Sequence, residues 1–474
     1  MFITQKDCLI ATIAFAIILV TTIVIERLLK KGKLTVLTGR KLLHFIAIMN
    51  CAWVIQSTNF RLLLGYIFIA FAAILLAIIN RKILFVQTTK SYGIALFPLS
   101  FGILLLLPFL SILQITFAVT VLGISDAAAG YIGEKYATNK IKFLYETKSW
   151  LGFTTFYLLT FFLAFALLPF SLHSLLIAVI IAIVPALVEL FSYKGSDNFT
   201  VPIVTALWLY TIQHLEPHTI LSLIVSICIL IAAAYLAYKK KWLTVAGATA
   251  AVLTGVCIAV WGSFTDFLIP IIFFLTGSFL SKLNKDAKET EGRNAFQVFA
   301  NGFIAVICLA AFFISQKPIF HYCFIASFAV SMADTVSSEI GKFFKGNTIN
   351  IMGLKPIQIG ISGGISWQGT AAGLLAASFI SSIATVTFHL PFNLGISIAI
   401  VGFVGMLLDS VLGSSVQALY LLKGTTYSEF HTPDSKLIKG YYWCNNDAVN
   451  LIANAISVAF FALYLTVISY QNGQ

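Results

Sequence analysis

The sequence predicts an all-α, polytopic membrane protein, with about 16 transmembrane helices in two tandem, parallel-related helical bundles, residues 1–215 and 216–474. Three observations predict it. The chain has 474 residues, of which 59% are hydrophobic and only 10% charged. Apolar runs of about 20 residues, each long enough to cross a hydrocarbon core of roughly 30 Å as a helix, recur from end to end. Short polar motifs recur in the same order in both halves. The runs lack the alternation of a membrane barrel, so each backbone must satisfy its own polar groups as a helix.

In the first half the spans fall at roughly 7–28, 42–58, 61–80, 92–109, 111–125, 150–170, 173–193 and 199–215; in the second, at roughly 218–238, 243–261, 264–281, 295–315, 319–335, 368–390, 394–420 and 447–469. With residues 30–41 cytoplasmic, alternation puts 27 of the 30 Lys and Arg on that side and leaves Lys6, Arg61 and Lys317 outside. Both termini are then extracytoplasmic. The first run ends in Glu26, Arg27 and Lys30 without a small-residue cleavage site and reads as a retained span. The expected location is a bacterial inner membrane or a related organelle membrane.

A net charge of +12 would suit nucleic acid, but the basic residues lie in short clusters between apolar runs, which are topology signals; no nucleic-acid partner is expected. The seven cysteines show no paired ligand spacing and read as small buried hydrophobes. Residues 213–218 are polar, contain Pro217 and mark the boundary between halves. His214 and His218 stand i, i+4 there, but Pro217 argues against a helix, so the segment reads as a loop.

The two halves follow one plan. Asp126, Ile132 and Gly133 lie over Asp334, Ile340 and Gly341 without a gap. Lys148-Ser149-Trp150-Leu151-Gly152 resembles Ile365-Ser366-Trp367-Gln368-Gly369, and Gly39-Arg40-Lys41 resembles Gly292-Arg293-Asn294. Glu189 followed by Asp197-Asn198 parallels Asp409 followed by Asn446-Asp447. Each pair emerges on the same predicted face, so the repeat is parallel rather than inverted.

Acidic groups, lysines and glycine-rich backbone together are what a magnesium-bound phosphate needs: carboxylates hold the metal while cations and backbone N–H groups hold the oxygens. In the first half Asp126 is the metal candidate, Arg40 and Lys148 the phosphate contacts, and His44 or Asp197 the base for an alcohol. In the second, Asp334 and Glu339 would share a metal, with Arg293 and Lys355 on phosphate. A backbone nest at Ser362-Gly363-Gly364, with Ser366 nearby, would cradle phosphate. Arg40, Lys148 and Arg293 would equally serve as topology anchors, and His44 would equally bond within the bundle. Glu189 and Asp409 sit near the cytoplasmic ends of spans, where a carboxylate is costly unless partnered.

At these residues the chain resembles two families joined. Residues from about 20 to 215 are similar to the phytol kinase and dolichol kinase family of polyprenol kinases, through Arg40-Lys41-Leu42-Leu43-His44, Asp126 with Gly133, Lys148-Ser149-Trp150-Leu151-Gly152, and Asp197-Asn198 running to Pro202. Ser125 departs from the glycine that commonly precedes the aspartate. Residues from about 225 to 470 resemble an integral-membrane family long known only as a domain of unknown function, whose plant member is phytyl-phosphate kinase. The matches are Gly292-Arg293 with Gln297, Asn301, Asp334 with Glu339 and Gly341, Ser362-Gly363-Gly364 with Ser366, Asp409, and Asn446 with Asn450.

The resemblance implies consecutive chemistry. The first half would phosphorylate an isoprenoid alcohol such as phytol or geranylgeraniol, and the second would convert the isoprenyl monophosphate to the diphosphate. CTP is the implied nucleoside triphosphate donor, with Mg2+, acting beside membrane lipid. It adds Lys41, Ser149, Gly152, Asn198, Gln297, Asn301, Asn446 and Asn450 to the nucleotide- and phosphate-binding candidates. A membrane cytidylyltransferase and a transporter are the rival readings.

Overall fold

Eight of the described helices begin where the sequence supplies a cap. Thr4 with Asp7, Ser111 with Gln114, and Asn294 with Gln297 form reciprocal capping boxes, while Thr35, Ser149, Ser171, Thr244 and Ser366 each accept a backbone N–H from the first turn they precede. The structure, a computed structural model, describes residues 4–80, 92–138, 140–143, 146–193, 195–216, 219–283, 292–344, 346–422, 426–432 and 435–471. His218 of the interhalf segment lies outside them; His214 Nδ1 lies 2.7 Å from Tyr210 O.

The chain divides into two compact units, Met1–Ile224 and Val225–Gln474. In order, the first carries α1 (Gln5–Lys30), α2 (Val36–Ser57), α3 (Arg61–Asn80), α4 (Gly93–Leu106), α5 (Ile112–Val121), α6 (Ala127–Tyr136), the strands β1 (Lys140–Phe143) and β2 (Glu146–Ser149), then α7 (Trp150–Ala166), α8 (Leu172–Phe191) and α9 (Asp197–Gln213). Helix α10 (Thr219–Lys239) runs across the division. The second unit continues with α11 (Val245–Trp261), α12 (Leu268–Leu283), α13 (Ala295–Ser315), α14 (Pro318–Phe344), β3 (Ile349–Asn350), β4 (Gly364–Ile365), α15 (Trp367–Thr387), α16 (Phe392–Ser415), β5 (Leu419–Leu422), β6 (Thr426–Ser428), β7 (Ser435–Lys439) and α17 (Asn446–Gln471).

A π turn over Leu122–Asp126 joins α5 and α6 into one rod. Ten helical rods among the described residues are long and apolar enough to span a membrane, and four shorter apolar helices accompany them. The protein is therefore an all-α, multi-pass membrane protein, and its described strands form two short hairpins and one small three-stranded sheet between spans.

Two expected spans run further than their hydropathy. The run ending near 125 continues through the π turn to Tyr136, and the run ending near 335 continues to Phe344. Nothing between Asp334 and Phe344 breaks a helix, and Gly341 is tolerated inside it. Asp126 and Asp334 consequently sit within helices, not in a solvated connection.

Helix α14 is the axis of the second unit. Its residues 323–333 are all buried, and α12, α13, α15, α16 and α17 pack around it; a helix apolar on every side must be enclosed. Phe324, Phe328, Leu309, Ile380, Ile398 and Phe461 form that core. Close approach requires glycine: a Cβ on Gly402 of α16 would come within 2.9 Å of Ala377 Cβ and 3.0 Å of Ala329 Cβ. At the helix ends away from the hairpins, polar groups are also paired. Arg61 donates to Leu105 O (2.8 Å) at the end of α4 and to Leu110 O (2.6 Å) in the connection before α5. His321 Nε2 lies 2.7 Å from Asp266 Oδ1.

Candidate functional site

Each unit builds its site from the same three parts: an aspartate-bearing helix, a hairpin that runs into the next helix, and a carboxylate two helices on. In the first unit β2 ends on Ser149, whose Oγ accepts from Gly152 N (3.0 Å) at the start of α7. Helix α6 crosses that cap at Gly133, where an added Cβ would lie 2.8 Å from Ser149 Oγ and 3.2 Å from Gly152 Cα. In the second, β4 ends on Ile365; Ser366 Oγ accepts from Gly369 N (3.2 Å), and Gly341 of α14 crosses it, where an added Cβ would lie 3.3 Å from Ser366 Oγ. Glycine at i+7 from each aspartate thus lets the aspartate helix lie against the next helix's first turn.

Around Asp126, which is 5% exposed, the first unit gathers five of its predicted residues. His44 Nε2 of α2 lies 3.4 Å from Asp126 Oδ2. Lys41, one turn earlier, extends over Gly130 and lies in the field of Asp126. Lys148 Nζ donates to Glu189 Oε1 (2.7 Å) and Glu189 O (3.0 Å), with both side chains largely buried. Burial opposes the charge of Lys148, but Glu189 first, then Asp197 and Asp126, more than offset it, so its pKa is raised. Asp197 accepts from Asn198 N (2.8 Å), and Asn198 O accepts from Ser100 Oγ (3.0 Å) at the start of α9. Arg40 is exposed and reaches Glu134 only at 3.8 Å.

In the second unit Asp334 of α14 and Asp409 of α16 line one cleft with Asn301, Ser331, Asn450 and Asn454. The two carboxyl groups lie within hydrogen-bonding reach of each other. With its amide nitrogen turned to Asp409, Asn450 donates to Asp409 Oδ2 (3.0 Å) and Asn446 O (2.9 Å). Asn454 Nδ2 donates to Ser327 O and Ser331 Oγ, both at 3.0 Å, while its Oδ1 is buried without a partner.

Glu339, expected to share a metal with Asp334, has a hydrogen-bond partner on another helix. Five residues on, Glu339 is about 140° round the helix, and it accepts from Ser281 Oγ of α12 (3.2 Å). The carboxyl group facing Asp334 belongs to Asp409. Gln297 closes a capping box with Asn294, and Asn301 Nδ2 donates to Gln297 O (2.8 Å). Arg293 lies over Gly277 and 5.9 Å from the Phe273 ring, outside the cleft. Lys355 is exposed on the turn between β3 and β4.

The glycine-rich turn is well formed but already engaged. Gly363 has φ +83° and packs on Ser414, Ser362 N donates to Glu429 Oε1 (2.6 Å), and Gln417 Nε2 donates to Ser362 Oγ (2.8 Å). Ser362 Oγ is 3.5 Å from Asn446 Oδ1. Asn454 and Ser331 escaped the motif reading. Their signal was available: Asn446, Asn450 and Asn454 recur every four residues, placing a polar stripe on one face of an apolar helix. Among the described residues no three His, Cys, Asp or Glu converge as a metal-binding group, so any cation here would take two carboxylates plus amide oxygens.

Comparison with known proteins places the second unit. Residues 228–458 match the model of the integral membrane protein family DUF92. The chain is 28% identical to Protein VTE6, chloroplastic, of Arabidopsis thaliana, over 44% of this chain and 61% of that protein. An uncharacterized membrane protein of Methanocaldococcus jannaschii is 26% identical over 50% of this chain and 92% of its own length. Protein PGR of Arabidopsis thaliana is 30% identical, over 39% of this chain and 75% of that relative. No solved structure matches. By these matches the chain belongs to the DUF92 family of integral membrane proteins.

Proposed function

We propose that the chain is a bifunctional membrane isoprenoid kinase, with CTP as phosphoryl donor to an isoprenoid alcohol in the first unit and to the resulting monophosphate in the second. The observation that carries the reading is the pair Asp334–Asp409 with Asn450 and Asn454, a polar cleft inside an otherwise apolar bundle. Intramembrane ionisable groups are costly and are retained for function or for a specific partner. The resemblance of the second unit to phytyl-phosphate kinase supplies the substrate class.

In the second unit a phosphate oxygen of the isoprenyl monophosphate attacks the γ-phosphorus of CTP; the bond to the bridging oxygen breaks, and CDP leaves with the electron pair. In the first unit the alcohol oxygen is the nucleophile and His44, beside Asp126, accepts its proton. Lys148 and Lys41 offset the charge of the incoming phosphates. Magnesium fits the donor set of Asp334 and Asp409, because it is commonly held by one or two carboxylates with waters and substrate phosphates completing six oxygens. Bound there, it would supply neutralisation of the charge spread over the transferring phosphoryl group.

The test incubates membranes containing the full chain with geranylgeraniol or phytol and γ-labelled CTP. Label in isoprenyl phosphates supports the reading. Label in pyrophosphate would make it a cytidylyltransferase, and label remaining in CTP would end the enzymatic reading.

A further inference from the structure

The two sites differ at one position that their shared architecture makes directly comparable. Lys148 and Ile365 both stand at the end of a hairpin's second strand, immediately before the serine that caps the next helix. In the first unit that position delivers an ammonium group to the buried carboxylate Glu189 at 2.7 Å, within the field of Asp126. In the second that position carries the apolar sec-butyl side chain of Ile365. Among the described residues, neither Asp334 nor Asp409 forms a salt bridge.

Two half-buried carboxyl groups lining one cleft repel each other unless they share a proton or hold a cation. A second observation points to a cation: Asn454 Oδ1 is buried, lines the same cleft and has no donor. A shared proton leaves that oxygen unsatisfied, whereas a hard divalent ion takes oxygen ligands of this kind.

We infer that the chain binds one divalent cation in the absence of nucleotide, at Asp334 and Asp409 of the second unit, and that Lys148 occupies the equivalent place in the first as a built-in cation. The first unit thus depends on metal only for what a nucleotide brings with it. The inference takes from the kinase reading only the metal at the carboxylate pair, and its readout is independent of turnover.

The experiment titrates the full chain, in detergent and without nucleotide, with Mn2+ and counts bound ions by electron paramagnetic resonance. One ion per chain is expected. Asp409→Asn should weaken it at least about tenfold, the lower end of what second-shell changes cost metal sites, while Asp126→Asn should leave it unchanged. Ile365→Lys should abolish it, and Ile365→Met, the control for side-chain size, should keep it. No ion on the wild-type chain, two equivalent ions, or loss of the ion in Asp126→Asn would each overturn the assignment. If Ile365→Lys does not fold, the two isosteric Asp→Asn variants still decide it.

Discussion

Removing the ammonium of Lys148 should expose how far the first unit depends on it. Its side chain is 15% exposed and that of Glu189 is 12% exposed, so the pair is largely withdrawn from water. Breaking a buried pair from one side strands the other charge and costs about 3–5 kcal/mol, whereas replacing both partners by apolar groups is often neutral. Lys148→Met should therefore lose about 3–5 kcal/mol, and Lys148→Met with Glu189→Leu should recover most of it. Recovery should fall short of complete, because Lys148 also offsets Asp197 and Asp126. The assay is equilibrium unfolding in mixed micelles followed by tryptophan fluorescence. A single-variant cost below about 1 kcal/mol, the range of exposed pairs, or a double variant no better than the single, would refute the reasoning.

The same pair fixes a pH response. Because the folded pKa of Lys148 is raised, its contribution is complete below the ordinary lysine value of about 10.4 and is lost as pH climbs through the higher folded value; thermal unfolding from pH 8 to 11.5 should show a fall in wild type that Lys148→Met lacks. Gly402→Ala should cost about 1–3 kcal/mol by overpacking α14, α15 and α16, and an unchanged unfolding midpoint would contradict that packing. Ser366→Ala should cost about 0.5–2 kcal/mol by uncapping α15, read by the same unfolding. Asp334→Asn should let isoprenyl monophosphate accumulate, whereas Asp126→Asn should stop use of the alcohol while still converting added monophosphate; equal loss of both steps would break the division of labour.

The helical rods and the shared motif order were legible in the sequence, because span length, apolar runs and short motifs are local properties. The reach of two helices past their apolar runs was not, since hydropathy ends where polar residues begin but a helix ends only where its backbone is broken. Asp126 and Asp334 were found from the repeat. Their partners were not: whether Glu339 or Asp409 faces Asp334 depends on how α14 is rotated against α12 and α16, and that rotation is set by the packing of five neighbours. The tertiary structure also decided that Gln297 closes a capping box with Asn294, that Asn454 enters the cleft, and that Lys148 lies on Glu189 where its counterpart is Ile365. Sequence determines which residues share a helix face; only packing determines which faces meet, because side chains from separate helices become neighbours across separations of about 40 to 130 residues.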